Sequence, residues 1–321
     1  MSKMVHTVTG PCKPDELGWC QTHEHVVCDY RLAPRNLDRV HRGDTGYMYL
    51  GDLDKQVREL AKYHEKGGGT VVEVTSSGWG RDVKKLKEIS VRSGVKIVAM
   101  SGFYMEPCIP LYVDETPTRK LADELVQELT VGVEGTGIRA GILKSAILRS
   151  RIEDIEEKAL RAVCMAQRET GAAITTHTTG SRRYEIPSGS HGPQHLRIIL
   201  EEGVRPDRLI VGHIDERPDI RVLCELAGKG CYVQFDVLGK LHYLKDETRA
   251  SLIKTMIKEG HLKKILIGTD RCRETETYPE LGGHGYTYVN DVFVPIMKAD
   301  GISDSEIRTI MCENPGEALA F

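Results

Sequence analysis

Short apolar, β-branched runs alternate with longer stretches of helical periodicity along nearly the whole chain. Eight of the runs read as strands: residues 17–22, 69–75, 95–101, 138–144, 172–177, 208–213, 231–236 and 265–270. Leu209-Ile210-Val211 and Ile265-Leu266-Ile267 are apolar at consecutive positions. Parallel strands covered on both faces have that pattern. Helical patterns separate most of the runs, over residues 52–66, 81–92, 118–131, 152–168 and 247–259. In the fourth of these, Glu153, Asp154, Glu156 and Glu157 crowd the first turns, where the helix dipole favours negative charge. Strand and helix in alternation predict a (β/α)8 TIM barrel.

A chain of 321 residues without a Pro/Gly/Ser-rich linker, tandem repeat or low-complexity tract fits one domain spanning residues 1–321. Residues 4–10 read as an extra strand, forming a hairpin with 18–21 across the bottom of the barrel. Residues 31–51 and 271–286 have little periodicity and are read as long loops of the catalytic face. A formal charge of -3 and the lack of a long basic run argue against nucleic-acid binding. Nothing resembles a signal peptide or membrane span, so a cytoplasmic protein is expected. The nine cysteines are scattered, without a Cys-x-x-Cys pair, and read as reduced structural thiols.

Chemistry enters at the ends of the apolar runs. His23-Glu24-His25 follows the first, Lys144 closes the fourth, and His177, His213 and Asp270 close the fifth, sixth and eighth. Any single histidine reads better as an ordinary core or surface residue, as His6, His41, His64, His195, His242 and His261 do. As a set at predicted strand ends, the six look like the ligands of a two-metal site at the C-terminal mouth, where barrel active sites lie. Imidazole and carboxylate are common zinc ligands, but an ammonium cannot coordinate a cation. Lys144 therefore sits outside the site or has been converted to an anion.

The ordered set, together with Gly282-Gly283-His284-Gly285-Tyr286 and Glu313-Asn314-Pro315-Gly316, resembles the phosphotriesterase-like branch of the amidohydrolase superfamily over nearly the whole chain. The resemblance implies that Lys144 reacts with carbon dioxide and bridges two metals as a carbamate. His23, His25 and Asp270 would then share the first metal, and His177 and His213 the second. Charge counting agrees, since an ammonium beside two dications would be a costly buried charge. Zinc is the expected metal, and manganese, cobalt or iron suit the same donors. The implied reaction is hydrolysis by a hydroxide held between the metals. Asp270 would receive its proton, and Asp215, Glu216 and Asp236 are candidates to relay it.

Arginines follow several of the ligands: Arg182, Arg183, Arg217, Arg271 and Arg273. Guanidinium forks recognise carboxylate and phosphate, and with aromatic residues at only 6% an anionic small molecule is the expected substrate. Arg273, Arg271, Arg183 and Tyr104 are the candidate substrate contacts, with Trp79 a further wall. The expected activity is opening of a lactone, such as a phosphorylated or carboxylated sugar lactone, with phosphotriester hydrolysis as a side activity. A metal-dependent amidase or deacylase on an N-acyl substrate is the first alternative, and a non-catalytic metal-binding scaffold the second. A homodimer is compatible with this reading.

Overall fold

The computed structural model describes residues 3–35, 48–147, 152–178 and 192–321. Eight parallel strands follow one another around a barrel: β1 (Trp19–Glu24), β2 (Gly68–Glu73), β3 (Lys96–Gly102), β4 (Ile142–Ile147), β5 (Ile174–Thr178), β6 (Leu209–Gly212), β7 (Tyr232–Phe235) and β8 (Ile265–Ile267). Seven of the intervening helices are α1 (Leu53–Glu65), α2 (Val83–Ser93), α3 (Thr118–Thr130), α4 (Asp154–Thr170), α5 (Gly192–Glu201), α6 (Ile220–Gly228) and α7 (Asp246–Lys258). Their starts carry the capping chemistry the sequence advertises. The Asp52 and Asp82 side chains accept backbone N–H bonds at α1 and α2, and Glu153 and Glu156 form a reciprocal box at α4.

β8 closes the barrel against β1. The Thr22 hydroxyl donates to the Ile267 carbonyl at 3.0 Å, and the Asp270 amide to the His23 carbonyl at 3.0 Å. Gly268 permits this approach, because a Cβ there would lie 2.8 Å from the His23 oxygen. The two late motifs brace the same seam. The Asn314 side-chain amide donates to the carbonyls of Leu262 and Ile265, at 2.9 and 2.8 Å, below β8. The Tyr286 hydroxyl, above, donates to the His25 carbonyl at 2.7 Å.

Two expectations need correction. The N-terminal hairpin pairs Val5–Thr7 with Gly10–Cys12, not with 18–21. It still covers the bottom, where Val5 packs with Leu17, Cys20 and Leu319. The fourth strand starts later than residues 138–144, so Lys144 is its third residue rather than its last. Gly141 sets that entry, since a Cβ there would meet the His6 carbonyl at 2.2 Å, which keeps the hairpin and β4 in close contact. All nine cysteines are free. No helix among the described residues is long and apolar enough to cross a membrane.

Candidate active site

The six expected ligands are all buried at the C-terminal mouth. His23 lies in β1 and His25 one residue beyond it; Lys144 is in β4 and His177 in β5. His213 directly follows β6, and Asp270 stands three residues past β8. His213 and Asp270 adopt positive φ, 57° and 50°. Non-glycine residues rarely do so, and strain of this kind concentrates at functional sites. Both lie just beyond their strands.

The carboxylate of Asp270 is the point of convergence. Its Oδ1 is 3.2 Å from His25 Nε2 and 3.7 Å from His23 Nε2, and its Oδ2 is 3.5 Å from His213 Nε2. Lys144 Nζ lies 3.5 Å from His23 Nε2 and 5.0 Å from the centre of the Tyr104 ring. The His177 ring is 4.0 Å from that of His213, centre to centre, and the Tyr104 hydroxyl is 3.4 Å from its nitrogens.

Burial keeps most of these imidazoles neutral. It lowers His23, lowers His25 to about 3, and holds His177 well below the usual range. Burial also lowers the Lys144 amine to about 8, against the pull of Asp270 and Asp236. His213 is the exception. Burial opposes its charge, but the Asp236 and Asp270 carboxylates outweigh that and push it up to about 10. Burial likewise opposes ionisation of Asp270, yet Lys240 and His213 hold it well below the carboxylate range.

Behind the ligands lies a second layer of polar contacts. Asp236 places Oδ2 2.8 Å from His23 Nδ1 and Oδ1 3.0 Å from His213 Nδ1, touching two candidate ligands at once. Neither contact is aligned along the ring N–H. Asp215 is not placed to pass a proton to solvent. It is fully buried, accepts from the Asp236 amide at 3.2 Å and pairs with Arg249 at 2.8 Å. Glu216 is buried beside the same turn. The Thr75 hydroxyl is 2.7 Å from His25 Nδ1, and Glu73 accepts the Thr75 amide at 3.2 Å.

At the mouth, Trp79 stacks on Tyr104, with ring centres 5.0 Å apart, and leans on His25 at 4.4 Å. The two rings form an aromatic wall beside Lys144 and His177. The arginines divide. Arg271 is buried, its guanidinium 5.0 Å from the Tyr288 ring centre and packed on Gly239. Arg273 stays partly exposed but is engaged by Glu276 at 2.5 Å. Arg182 and Arg183 lie outside the described residues. The sequence reading missed Lys240, whose ammonium donates to both the Asp270 carboxylate and its carbonyl. The only available signal was a lysine four residues beyond Asp236, in a stretch with no periodicity to orient it.

The donor set suits divalent cations. Imidazole nitrogens and carboxylates, all buried, face one another in two groups, His23/His25/Asp270 and His23/His213/Asp236, with donor atoms within 4.8 Å of one another. His213, held protonated by its two carboxylates, would have to give up its proton to a cation. Lys240 on Asp270 Oδ2 competes for one of those oxygens, while Oδ1 faces imidazoles alone.

Comparison with known proteins agrees with this arrangement. A sequence profile described as the phosphotriesterase family matches residues 3–319. A phosphotriesterase-related protein from Nematostella vectensis is 32% identical, the alignment covering 100% of this chain and 99% of that protein. An N-acetyltaurine hydrolase from Dictyostelium discoideum is 27% identical over 99% of this chain and 98% of its own length. The crystal structure of a lactonase from Listeria monocytogenes superposes with a TM-score of 0.88 at 26% identity, covering 98% of each chain. With the family profile spanning almost its full length, this chain belongs to the phosphotriesterase family and is one of its hydrolases.

Proposed function

We propose that the chain opens a lactone ring carrying a remote carboxylate or phosphate. It would use two divalent cations, zinc being the expected metal, and a carbamate on Lys144. The observation that carries this reading is the convergence of three imidazole Nε2 atoms on Asp270, with the Lys144 amine buried beside them. An amine lowered to about 8 is partly neutral near pH 7.5 and can add to carbon dioxide. The N–C bond forms, one proton leaves the nitrogen for water, and the product is an anion suited to bridge cations. Two bound cations would supply an activated water at neutral pH and polarise the scissile carbonyl. His23, His25 and Asp270 would hold one, His177 and His213 the other, and the Lys144 carbamate both.

The remaining roles fall to the chain itself. Asp270, held as a carboxylate, would take the proton of the attacking water and pass it to the leaving oxygen. Trp79 and Tyr104 wall the ring side and exclude water. Arg273, on the loop after β8, offers a cation for an anion remote from the reacting carbonyl. Lys240, on the loop after β7 and held against Asp270, offers a second one closer to it.

A second reading keeps the same residues and changes the bond. The relatives named N-acetyltaurine hydrolase favour an N-acyl amide whose far end is a monoanion. The amine leaving group would then need the Asp270 proton. Metal-loaded protein assayed against carboxylated, phosphorylated and neutral lactones, N-acyl amino acids, N-acyl aminosulfonates and a phosphotriester separates the two. Lactone turnover at least tenfold above amide turnover is the expected result. The reverse order installs the amide reading, and no turnover of any of them by protein shown to hold two metals sinks both.

A further inference from the structure

Glu24 stands between two candidate ligands and has no part in the chemistry proposed above. Its side chain is fully buried and accepts hydrogen bonds from three donors, all in the segment just past β8. Oε1 accepts the Thr269 amide at 2.7 Å, and Oε2 accepts the Arg271 amide at 3.2 Å. The Thr269 hydroxyl lies 2.8 Å from Oε1 and 2.7 Å from Oε2. Between those two amides sits Asp270, with φ at 50°. The N–H groups of both neighbours of this left-handed residue thus donate to the same carboxylate. The amide of Asp270 itself donates to the His23 carbonyl at 3.0 Å. Three consecutive amides are thus fastened to β1, two of them by one carboxylate.

From this geometry we infer that Glu24 is a positioning residue: its carboxylate holds the strained turn that aims Asp270 at the ligand imidazoles. A non-glycine residue relaxes from positive φ unless its surroundings fix it. Here the two anchors lie on the immediate neighbours of the strained residue, which a general role in closing the barrel does not require. The Glu of His23-Glu24-His25 is then as much a part of the motif as the histidines. They face the metals, and it holds the ligand arriving from the last strand.

The inference rests on the reading of Asp270 as a metal ligand, and cobalt serves as a probe of both. Purified protein would be stripped, reloaded with cobalt(II), and followed by metal content, competition with a chelator, and the visible spectrum of the bound ion. Glu24→Gln preserves shape, but its amide nitrogen opposes a backbone N–H or the Thr269 hydroxyl. The expected result is a folded protein whose cobalt affinity falls about ten- to a hundredfold, the range found for residues that orient metal ligands. Its spectrum should shift, and kcat should fall by a similar factor with KM little changed. If Glu24→Gln fails to fold, Thr269→Val is the substitute. It removes only the hydroxyl, and a several-fold weakening with the same spectral shift is expected. Wild-type affinity and spectrum in a folded Glu24→Gln protein, or in Thr269→Val as its substitute, would overturn the inference and leave the proposed function standing. A wild-type protein that binds no cobalt would overturn both.

Discussion

The two ends of the barrel use the same strands for opposite purposes. At the bottom, β1, β2, β6 and β8 point Cys20, Val72, Ile210 and Leu266 inward, and Val5 and Leu319 seal them from below. At the top, β1 carries His23, and the continuations of β6 and β8 carry His213 and Asp270, all of them buried. The lower layer is stabilised by burial of apolar surface, which needs no partner and tolerates changes of shape. The upper layer buries groups that burial penalises, and it holds them only through specific contacts such as Asp236 between two histidines and Lys240 on Asp270. Two of its residues, His213 and Asp270, hold a positive φ that non-glycine residues rarely adopt. In this family member, stability and chemistry are therefore divided by height along each strand.

The sharpest way to break that division is to alter one residue at each height. Lys144→Ala should abolish the bridge and cost several kcal/mol of transition-state stabilisation, roughly a thousandfold or more in kcat/KM. Melting should stay near wild type, because a buried amine is lost rather than an apolar anchor. Short carboxylic acids should restore part of the activity by standing in for the carbamate. Added bicarbonate should speed metal reconstitution of the wild type but not of the variant. Full activity of Lys144→Ala without a rescue agent would remove the bridging role. At the bottom, Leu266→Ala should lower unfolding free energy by about 2–5 kcal/mol, measured by denaturant titration. Turnover at 25 °C should barely change. A large loss of kcat in folded Leu266→Ala protein would show that the two layers are coupled.

Asp270→Asn tests the upper layer more finely. The amide fills the same space but accepts no proton, so kcat should drop about a hundredfold or more while the fold persists. The Lys240 contact complicates this substitution usefully. Losing the carboxylate leaves the Lys240 ammonium buried without its counter-charge, so some loss of stability is expected. Near wild-type turnover would show that another group takes the proton.

What could be read from the sequence divides along the same line. The strands are legible because short, largely apolar runs recur between helical patterns. The titratable residues near the ends of those runs, His177, His213 and Asp270, stand out, although His177 lies within β5 and Asp270 three residues past β8. Lys240 does not, since it follows β7 in a turn whose direction depends on Gly239 and the Arg271 and Tyr288 side chains packed on it. Arg271 looked equivalent to Arg273 in the sequence. Their partners separate them: Arg271 packs inward on Tyr288 and Gly239, while Arg273 pairs with Glu276 and stays partly exposed. The strap of Glu24 was equally invisible, because its partners lie 245 and 247 positions away.

The smallest expected effect concerns the rim, where neither rule holds cleanly. Arg273 is partly open to solvent, with 29% of its side chain exposed, and shares its charge with Glu276. A guanidinium already paired gives less to a substrate than a free one. Arg273→Ala should therefore reduce kcat/KM for an anionic lactone by about 1–1.5 kcal/mol, roughly tenfold, rather than the larger loss an unpaired fork would give. Part of that loss should come from Glu276, which would then face the substrate anion with Arg273 no longer beside it. The double change Arg273→Ala with Glu276→Gln should accordingly recover some activity on the anionic substrate, and a double-mutant cycle measures how much. Neutral lactones should respond little to either change. An equal loss on charged and neutral substrates would mean that Arg273 and Glu276 together brace the loop after β8. In that case the anion would rest on Lys240 alone, and the rim would belong with the bottom of the barrel as structure rather than with the mouth.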